Sequence, residues 1–507
     1  MSAQLYPVST TYLSCDDYEI TVDGVGAMPD TARVSAYPFN RRWPGYQRSL
    51  DQTELVNFLS LAVEGTVTYT IRPKKPFDPA ALKIRPQSLG IAPTVKDGVI
   101  TFTLDRPAYF TVEPYGRNHA LHVFADPMPR YDVDIHADNV IYFGAGEHDA
   151  GLIELTSGQT LYLDEGAVVY GAVRALDADH IKILGRGILD HSRVKETIHF
   201  VPTKEQIRAA AEANEAVRNE SRTPPILLGY CTNIEIDGIT IRDSLMYNVR
   251  PIYCNDISIK NVKIIGCWRY NSDGIDMHNC ENVHIADCFI RTYDDCICAK
   301  GLTVHDPHGN ANTETDRHLA FRHLLVERCV TWNDWGKGLE IGAETRAEEM
   351  CDIVFRDCDV IHLCGPAMDC MNVDYADVHD VLFENITVEA DEIIPVPRGQ
   401  KYEDDVYDDS YKDYMPSVFT SSVEFHHEYS EGGQRRGINR NFTLRGIRVI
   451  GDKPLIFVFR GNDADHLTHH IAIENLSHNG VAITEPSAVA VRKNEFTADL
   501  TLDGQPL

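Results

Sequence analysis

One short pattern recurs down the chain and decides most of what it can become. One or two polar residues precede an apolar–x–apolar triplet, and a turn residue and a second short apolar pair follow. It reads NIEIDGITI at 233, DISIKNVKI at 256, NVHIADCFI at 282, DIVFRDCDV at 352, DVLFENITV at 380 and NFTLRGIRV at 441. Weaker copies are HIKILGRGI at 180, HLAFRHLLV at 318 and HIAIENLSH at 470. The first apolar positions Ile234, Ile257, Val283, Leu319, Ile353 and Val381 follow one another at 23, 26, 36, 34 and 28 residues. Period-2 alternation makes each copy a pair of short strands, and a repeat of this length makes a stacked solenoid. No 3.6-residue periodicity fills the gaps, which excludes helical solenoids, and no repeated Leu framework supports leucine-rich repeats. Asn-Gly hairpin signals between neighbours are scarce, which disfavours a β-sandwich for this part. The expected fold is all-β: a right-handed parallel β-helix.

The flanks differ. Residues 1–130 carry alternating strands (TVTYTIRP, VITFTL, YFTVEP) without the repeat and predict an N-terminal β-sandwich of seven or more strands. Residues 131–507 then form the β-helix, with insertions near 195–224, 302–317 and 395–440. The first insertion is Ala-rich with alternating charges and predicts a helix. The third is acidic and Tyr-rich and reads equally as a solvated loop or as a lid over a cleft.

Composition narrows the function. The net charge is −29, which repels nucleic acid and anionic membranes. No run of about 18 apolar residues is present, so no helical membrane span is expected. The first residues lack a basic segment followed by an apolar one, so no signal peptide is visible and a cytoplasmic location is expected, or a secreted one had a leader been removed. Thirteen cysteines are an odd count for a disulfide scaffold, and twelve lie between Cys231 and Cys370, so reduced structural thiols are expected. Cys296 and Cys298 read as two thiols sharing the inner face of one strand rather than as a metal site. The histidines at 426, 427, 466, 469 and 470 lack a consistent ligand spacing and read as surface residues. No metal or cofactor is expected, and the oligomeric state, a homo-oligomer included, stays open.

The chemistry sits in NSDGIDMHNCENVHIADCFIRTYDDCICAKG, residues 271–301. A coil of about 21 to 23 residues brings Asp273 to the position of Asp294 on the next coil, with Asp295 beside it, and adjacent strands lie about 4.8 Å apart. Three carboxylates on one sheet face repel each other, so at least one is expected to hold its proton towards neutral pH while others stay ionised. Glycoside hydrolysis needs that division between acid and base.

Three segments carry a resemblance. Asn271-Ser272-Asp273-Gly274, Asp294-Asp295-Cys296-Ile297 and Gly336-Lys337-Gly338-Leu339-Glu340-Ile341-Gly342 resemble the NTD, DD and GHG segments of polygalacturonases, glycoside hydrolase family 28. The stretch Asp243–Pro251 and the turn Gly185–Asp190 are also similar to that family, and the N-terminal sandwich looks more like the related dextranases. The resemblance covers roughly residues 138 to 390. It implies an inverting hydrolase in which Asp294 is the general acid while Asp273 and Asp295 activate water, with acid and base about 6.5 to 9.5 Å apart. Two departures bear on substrate. Lys337 stands where the family has histidine. The segment Gly365–Asn372, where the family's RIK cations would grip galacturonate, holds no Arg or Lys. A neutral oligo- or polysaccharide is therefore the expected substrate. Galacturonan held by another clamp (Arg250, Arg269, Arg346), a Ca²⁺-dependent lyase and a non-catalytic carbohydrate-binding β-helix are the alternatives. Expected substrate contacts are Asn271, Lys337, Glu340, Arg250 and the aromatic faces of Trp268, Tyr270 and Trp335; Tyr247, Tyr293, Trp332 and Glu344 are further candidates. The insertions at 302–317 and 395–440 would wall off one end of the cleft and favour exo-action.

Overall fold

The computed structural model describes residues 2–11, 13–36, 50–194, 197–198, 220–221, 223–301, 320–392, 415–426, 430 and 435–507. Most of the expected helix at 195–224, the 302–317 insertion and most of 395–440 lie outside the described residues; at the ends of the first, Thr197–Ile198 and Glu220–Ser221 pair as short antiparallel strands instead. Among the described residues no helix is long and apolar enough to cross a membrane.

Two sheets of six and five strands form the N-terminal part. Pairing is antiparallel, except that Thr53–Val63 runs parallel to Leu121–Pro127. Alternation puts Tyr69, Phe102 and Phe110 between the sheets, where Tyr69 stacks on Phe102 at 5.3 Å and meets Phe110 edge-on at 5.4 Å.

From Val140 the chain winds into a parallel β-helix, right-handed as parallel crossovers are. Each central coil has three strands. Four successive coils are Asn255–Lys260, Lys263–Ile265 and Ile275–His278; Glu281–Ala286, Phe289–Thr292 and Ile297–Gly301; Phe321–Glu327, Val330–Asn333 and Leu339–Thr345; and Glu349–Arg356, Asp359–His362 and Met368–Asn372. The repeat pattern supplies the first strand of each coil and, after a corner, the second. Its inward residues line up across coils as Ile234, Ile257, Val283, Leu324, Ile353, Val381, Phe442 and Ile471. The register takes Leu324 where spacing suggested Leu319, which lies outside the described residues.

The polar residues of the repeat have a backbone role. Asn233, Asp256, Asn282, His323, Asp352, Asp380, Asn441 and His470 all have φ between 52° and 59°. Each is a left-handed residue passed over by the strand ladder just before the inward apolar position. A second left-handed series, Asn261, Asp287, Arg328, Asp357 and Asn385, turns the corner after the first strand. Asn and Asp tolerate this region better than other L-residues, and that preference is why the repeat opens on them.

Every cysteine is free, and all but Cys15 are buried. The reading of Cys296 and Cys298 as one inward pair needs correction. Cys296 lies in the bend ahead of its strand and packs in the interior. Cys298, paired with Asp276 and Glu340 across the sheet, points outward, its Sγ 3.5 Å from Glu340 Oε2.

The sandwich lies on the outer face of the second strands. Val34, Val56, Phe58 and Phe124 pack there against Val168, Ile188, Ile265, Phe289, Val330 and Ile361. Buried polar contacts cross the seam: the ion pairs Lys263 Nζ to Asp126 Oδ1 at 2.9 Å and Arg242 Nη1 to Asp30 Oδ1 at 3.1 Å, and a hydrogen bond between His362 Nε2 and Glu113 at 3.0 Å. With the second-strand face covered, the outer face of the third strands carries the cleft.

Candidate active site

The cleft holds about 310 Å³ and is lined by Tyr247, Tyr270, Asn271, Asp273, Asp294, Asp295, Lys300, Trp335, Gly336, Lys337, Ala343, Glu344, Gly365, Pro366 and Met371. Its reactive groups come from the bends that lead into the third strand of successive coils. The offset from Ile275 to Ile297 is 22 residues. The same offset puts Asp273 level with Asp295, where counting coil length had paired it with Asp294; the bond from Gly274 N–H to Asp295 O at 2.8 Å fixes that register. Asp294 precedes Asp295 in the bend. One oxygen each of Asp273, Asp294 and Asp295 lies within 4.8 Å of the others. That is shorter than the expected separation of about 6.5 to 9.5 Å between acid and base. It suits a single water held by two carboxylates, whose oxygens lie about 2.7 Å from the water and so within 5 Å of each other.

Burial separates the three. Asp273 is 2% exposed, and among the described residues its Oδ1 has no hydrogen-bond partner. Burial, then the charges of Asp276, Asp294 and Asp295, push its carboxyl well above the ordinary range. Asp295 is 9% exposed, and its Oδ1 accepts the backbone N–H of Lys337 at 2.8 Å. Asp294 is the most open to the cleft. Gly336 makes room for the acid bend. A Cβ there would lie 2.4 Å from Asp294 C and Asp295 N and 2.5 Å from Asp295 Oδ1.

A second layer lies beneath. Strand pairing aligns Asp276, Cys298, Glu340 and Asp369 in one outward column. Lys337 Nζ contacts Glu340 Oε1 and lies 3.2 Å from Asp369 Oδ2. Lys300 Nζ lies 3.2 Å from Glu344 Oε2 and 3.6 Å from Asp276 Oδ2. Burial pushes Asp276 and Asp369 up to about 6 against the pull of these ammonium groups. In Glu344 burial pushes the same way, but Lys300, a backbone N–H and Arg346 together outweigh it and bring the carboxyl down to about 2.

Of the residues expected to touch substrate, Asn271, Tyr270, Trp335 and Lys337 line the cleft. Asn271 turns the chain with φ 58°. Trp335 stacks on Tyr293 at 5.5 Å and packs on Tyr270 at 5.4 Å, so one face of its ring is backed by aromatics. Trp268, Arg250 and Glu340 do not reach the cleft wall. Trp268 is 4% exposed, with Nε1 bonded to Asp243 Oδ1 at 2.8 Å. Arg250 lies over the Tyr247 ring with Nε 3.3 Å from His278 Nε2. Glu340 is fully buried under Lys337. Of the further candidates, Tyr247 and Glu344 line the cleft, whereas Tyr293 and Trp332 are fully buried. Sequence reasoning missed Lys300 and Met371, both outward on third strands. The 22-residue coil offset, counted from His278, would have found Lys300.

Residues 208–409, which include every residue lining this cleft, match the model of Glycosyl hydrolases family 28. A "Probable polygalacturonase" of Vitis vinifera is 35% identical over 107 residues, 21% of either chain. Another of Arabidopsis thaliana is 37% identical over 84 residues, 16% of this chain and 18% of its own. The chain thus spans about a fifth of the length of these curated relatives. Among solved structures, Dex49A from Penicillium minioluteum superposes with a TM-score of 0.50 at 15% identity, over 99% of this chain and 91% of its own. That likeness is one of fold, and its coverage takes in the sandwich as well as the solenoid. The chain is therefore similar in sequence to the family 28 glycosyl hydrolases over residues 208–409 and shares its fold with Dex49A.

Proposed function

We propose that the chain is a glycoside hydrolase that cleaves a neutral oligo- or polysaccharide with inversion. The observation that carries the hydrolase reading is the cluster of Asp273, Asp294 and Asp295, with oxygens within 4.8 Å of one another at the floor of an open cleft; inversion rests on the family resemblance of the segments that hold them. Asp294, the member most open to the cleft, protonates the glycosidic oxygen. Asp273 and Asp295, level on adjacent coils, hold and deprotonate the attacking water. Burial and repulsion raise the Asp273 carboxyl, so the cluster retains a proton towards neutral pH; the donor role of Asp294 rests on its opening to the cleft and on the family resemblance rather than on that shift. Tyr270 and Trp335 offer ring faces for the C–H surface of a sugar.

The neutral substrate is favoured by the pairing of the cleft's cations. Lys300 and Lys337 each have two carboxylates within 4 Å, and the strand Met368–Asn372 presents Asp369 and Met371 outward. A uronate carboxylate finds no free cation in that arrangement. The test is a panel of neutral and uronic glycans, with products followed by NMR. New reducing ends of inverted configuration from neutral glycans are expected. Retained configuration would remove the inverting assignment. Unsaturated products that absorb in the near ultraviolet and disappear with EDTA would replace hydrolysis by elimination.

A further inference from the structure

Lys337 lines the cleft with its side chain 20% exposed, yet its charge is already taken. The third strands of neighbouring coils pair Glu340 with Asp369, and alternation turns both outward beneath the ammonium. Nζ contacts Glu340 Oε1 and stands 3.2 Å from Asp369 Oδ2, and both carboxylates are buried, at 0% and 2% exposure. Burial and the charge of Asp295 push the Glu340 carboxyl well above the ordinary range, so Asp369 supplies the charge that neutralises the ammonium and leaves none for an incoming anion. Beside it the wall turns apolar: Met371 Sδ lies 3.9 Å from Nζ, and Pro366 lines the same cleft.

Resting on the reading of this cleft as a glycosidase site, we propose that Asp369 is a specificity-determining residue. It holds Lys337 away from any uronate, and so reserves this end of the cleft for a sugar whose exocyclic carbon is a hydroxymethyl or methyl group. Glu340, holding its proton, would leave the Lys337 charge free; Asp369 is the carboxylate that neutralises it. Asp369 acts through Lys337 and does not itself reach the cleft wall, so it is a positioning residue.

The experiment compares kcat/KM for aryl glycosides in pairs that differ only at C6, galactoside with galacturonide and glucoside with glucuronide, and the binding of the corresponding free sugars by calorimetry. In the unaltered enzyme the neutral partner of the preferred pair is expected to be the better substrate. Asp369→Asn is expected to raise the uronide-to-neutral ratio about tenfold, the effect of one unit of charge at close range. Asp369→Glu should keep the original ratio. The gain should vanish in the Asp369→Asn/Lys337→Gln double variant, since it needs the freed ammonium. A folded Asp369→Asn enzyme whose two kcat/KM values move in parallel would overturn the proposal and leave the hydrolase reading intact. Should that variant not fold, Asp369→Ser with the same two ratios decides. An unaltered enzyme that prefers the uronide would overturn the neutral-glycan reading and this proposal together.

Discussion

Gly336→Ala adds one methyl group at the point where the acid bend meets the next coil. The new Cβ would stand 2.4 Å from Asp294 C and Asp295 N and 2.5 Å from Asp295 Oδ1, whereas ordinary contact begins at 3.4 Å. The bend must therefore yield by about 1 Å, and the backbone atoms in its way cannot swing aside as a flexible side chain can. A displacement of that size at the reacting groups costs on the order of 100-fold in rate. The overpacking itself costs about 1 to 3 kcal/mol of stability. The comparison is Gly338→Ala, whose Cβ would meet Ala367 O at 2.6 Å but touches neither acid. Both variants should melt earlier than the unaltered protein, while only Gly336→Ala should lose kcat on the glycan that the panel identifies. A Gly336→Ala enzyme within threefold of normal kcat would show that the bend's position does not govern the chemistry. Equal losses in the two variants would assign the effect to stability alone.

Asp294→Asn, which removes the donor proton but keeps shape, should lower kcat by about 100-fold or more with unchanged circular dichroism; undiminished turnover would remove it as the acid. Trp335→Ala removes the ring face backed by Tyr293 and should raise KM by about three- to tenfold with a smaller effect on kcat, since stacking contributes about 0.5 to 1.5 kcal/mol. The Glu344 carboxyl, at about 2 in the folded protein against about 4.3 unfolded, contributes about 3 kcal/mol of stability. A depressed carboxyl stabilises above its unfolded value and loses that contribution as pH falls through its folded one. Denaturant titrations should therefore show unaltered protein more stable than Glu344→Gln at pH 7, with the gap closing between about pH 4 and 2; a gap that persists at pH 2 would sink the assignment.

The solenoid was readable because inward residues must alternate and left-handed corners favour Asn and Asp, so each coil repeats both signals. Phase was lost where those signals were ambiguous. HLAFRHLLV contains two apolar pairs in the same alternation, and a long insertion ahead of it removes the reference, so Leu319 was preferred to Leu324. Bends do not keep period 2. Counting through one assigned Asp294 rather than Asp295 as the partner of Asp273, and put Cys298 on the inner face. Proximity in sequence misled for Trp268, Arg250 and Glu340, because a residue next to a motif on a strand or turn can face beneath the cleft. The capture of Lys337 by Asp369 joins residues on two coils and could not be read without the register between them.

The sandwich has a consequence for how the molecule comes apart. A stack of coils in which each touches only its neighbours has little reason to unfold all at once. Here a separate domain is braced along the coils from Val168 to Glu389, through apolar contacts at 188, 265, 289, 330 and 361 and a buried ion pair from Arg85 to Glu389. Lifting any coil in that stretch breaks contacts with a body that spans all of them, so the braced coils should open as one cooperative unit. Coils beyond Glu392, such as Ile438–Arg445 and Thr468–Glu474, are outside the described contacts of the brace. Hydrogen exchange should find them opening first and the coils that carry the acids last, so that the catalytic floor is the part of the solenoid held shut longest.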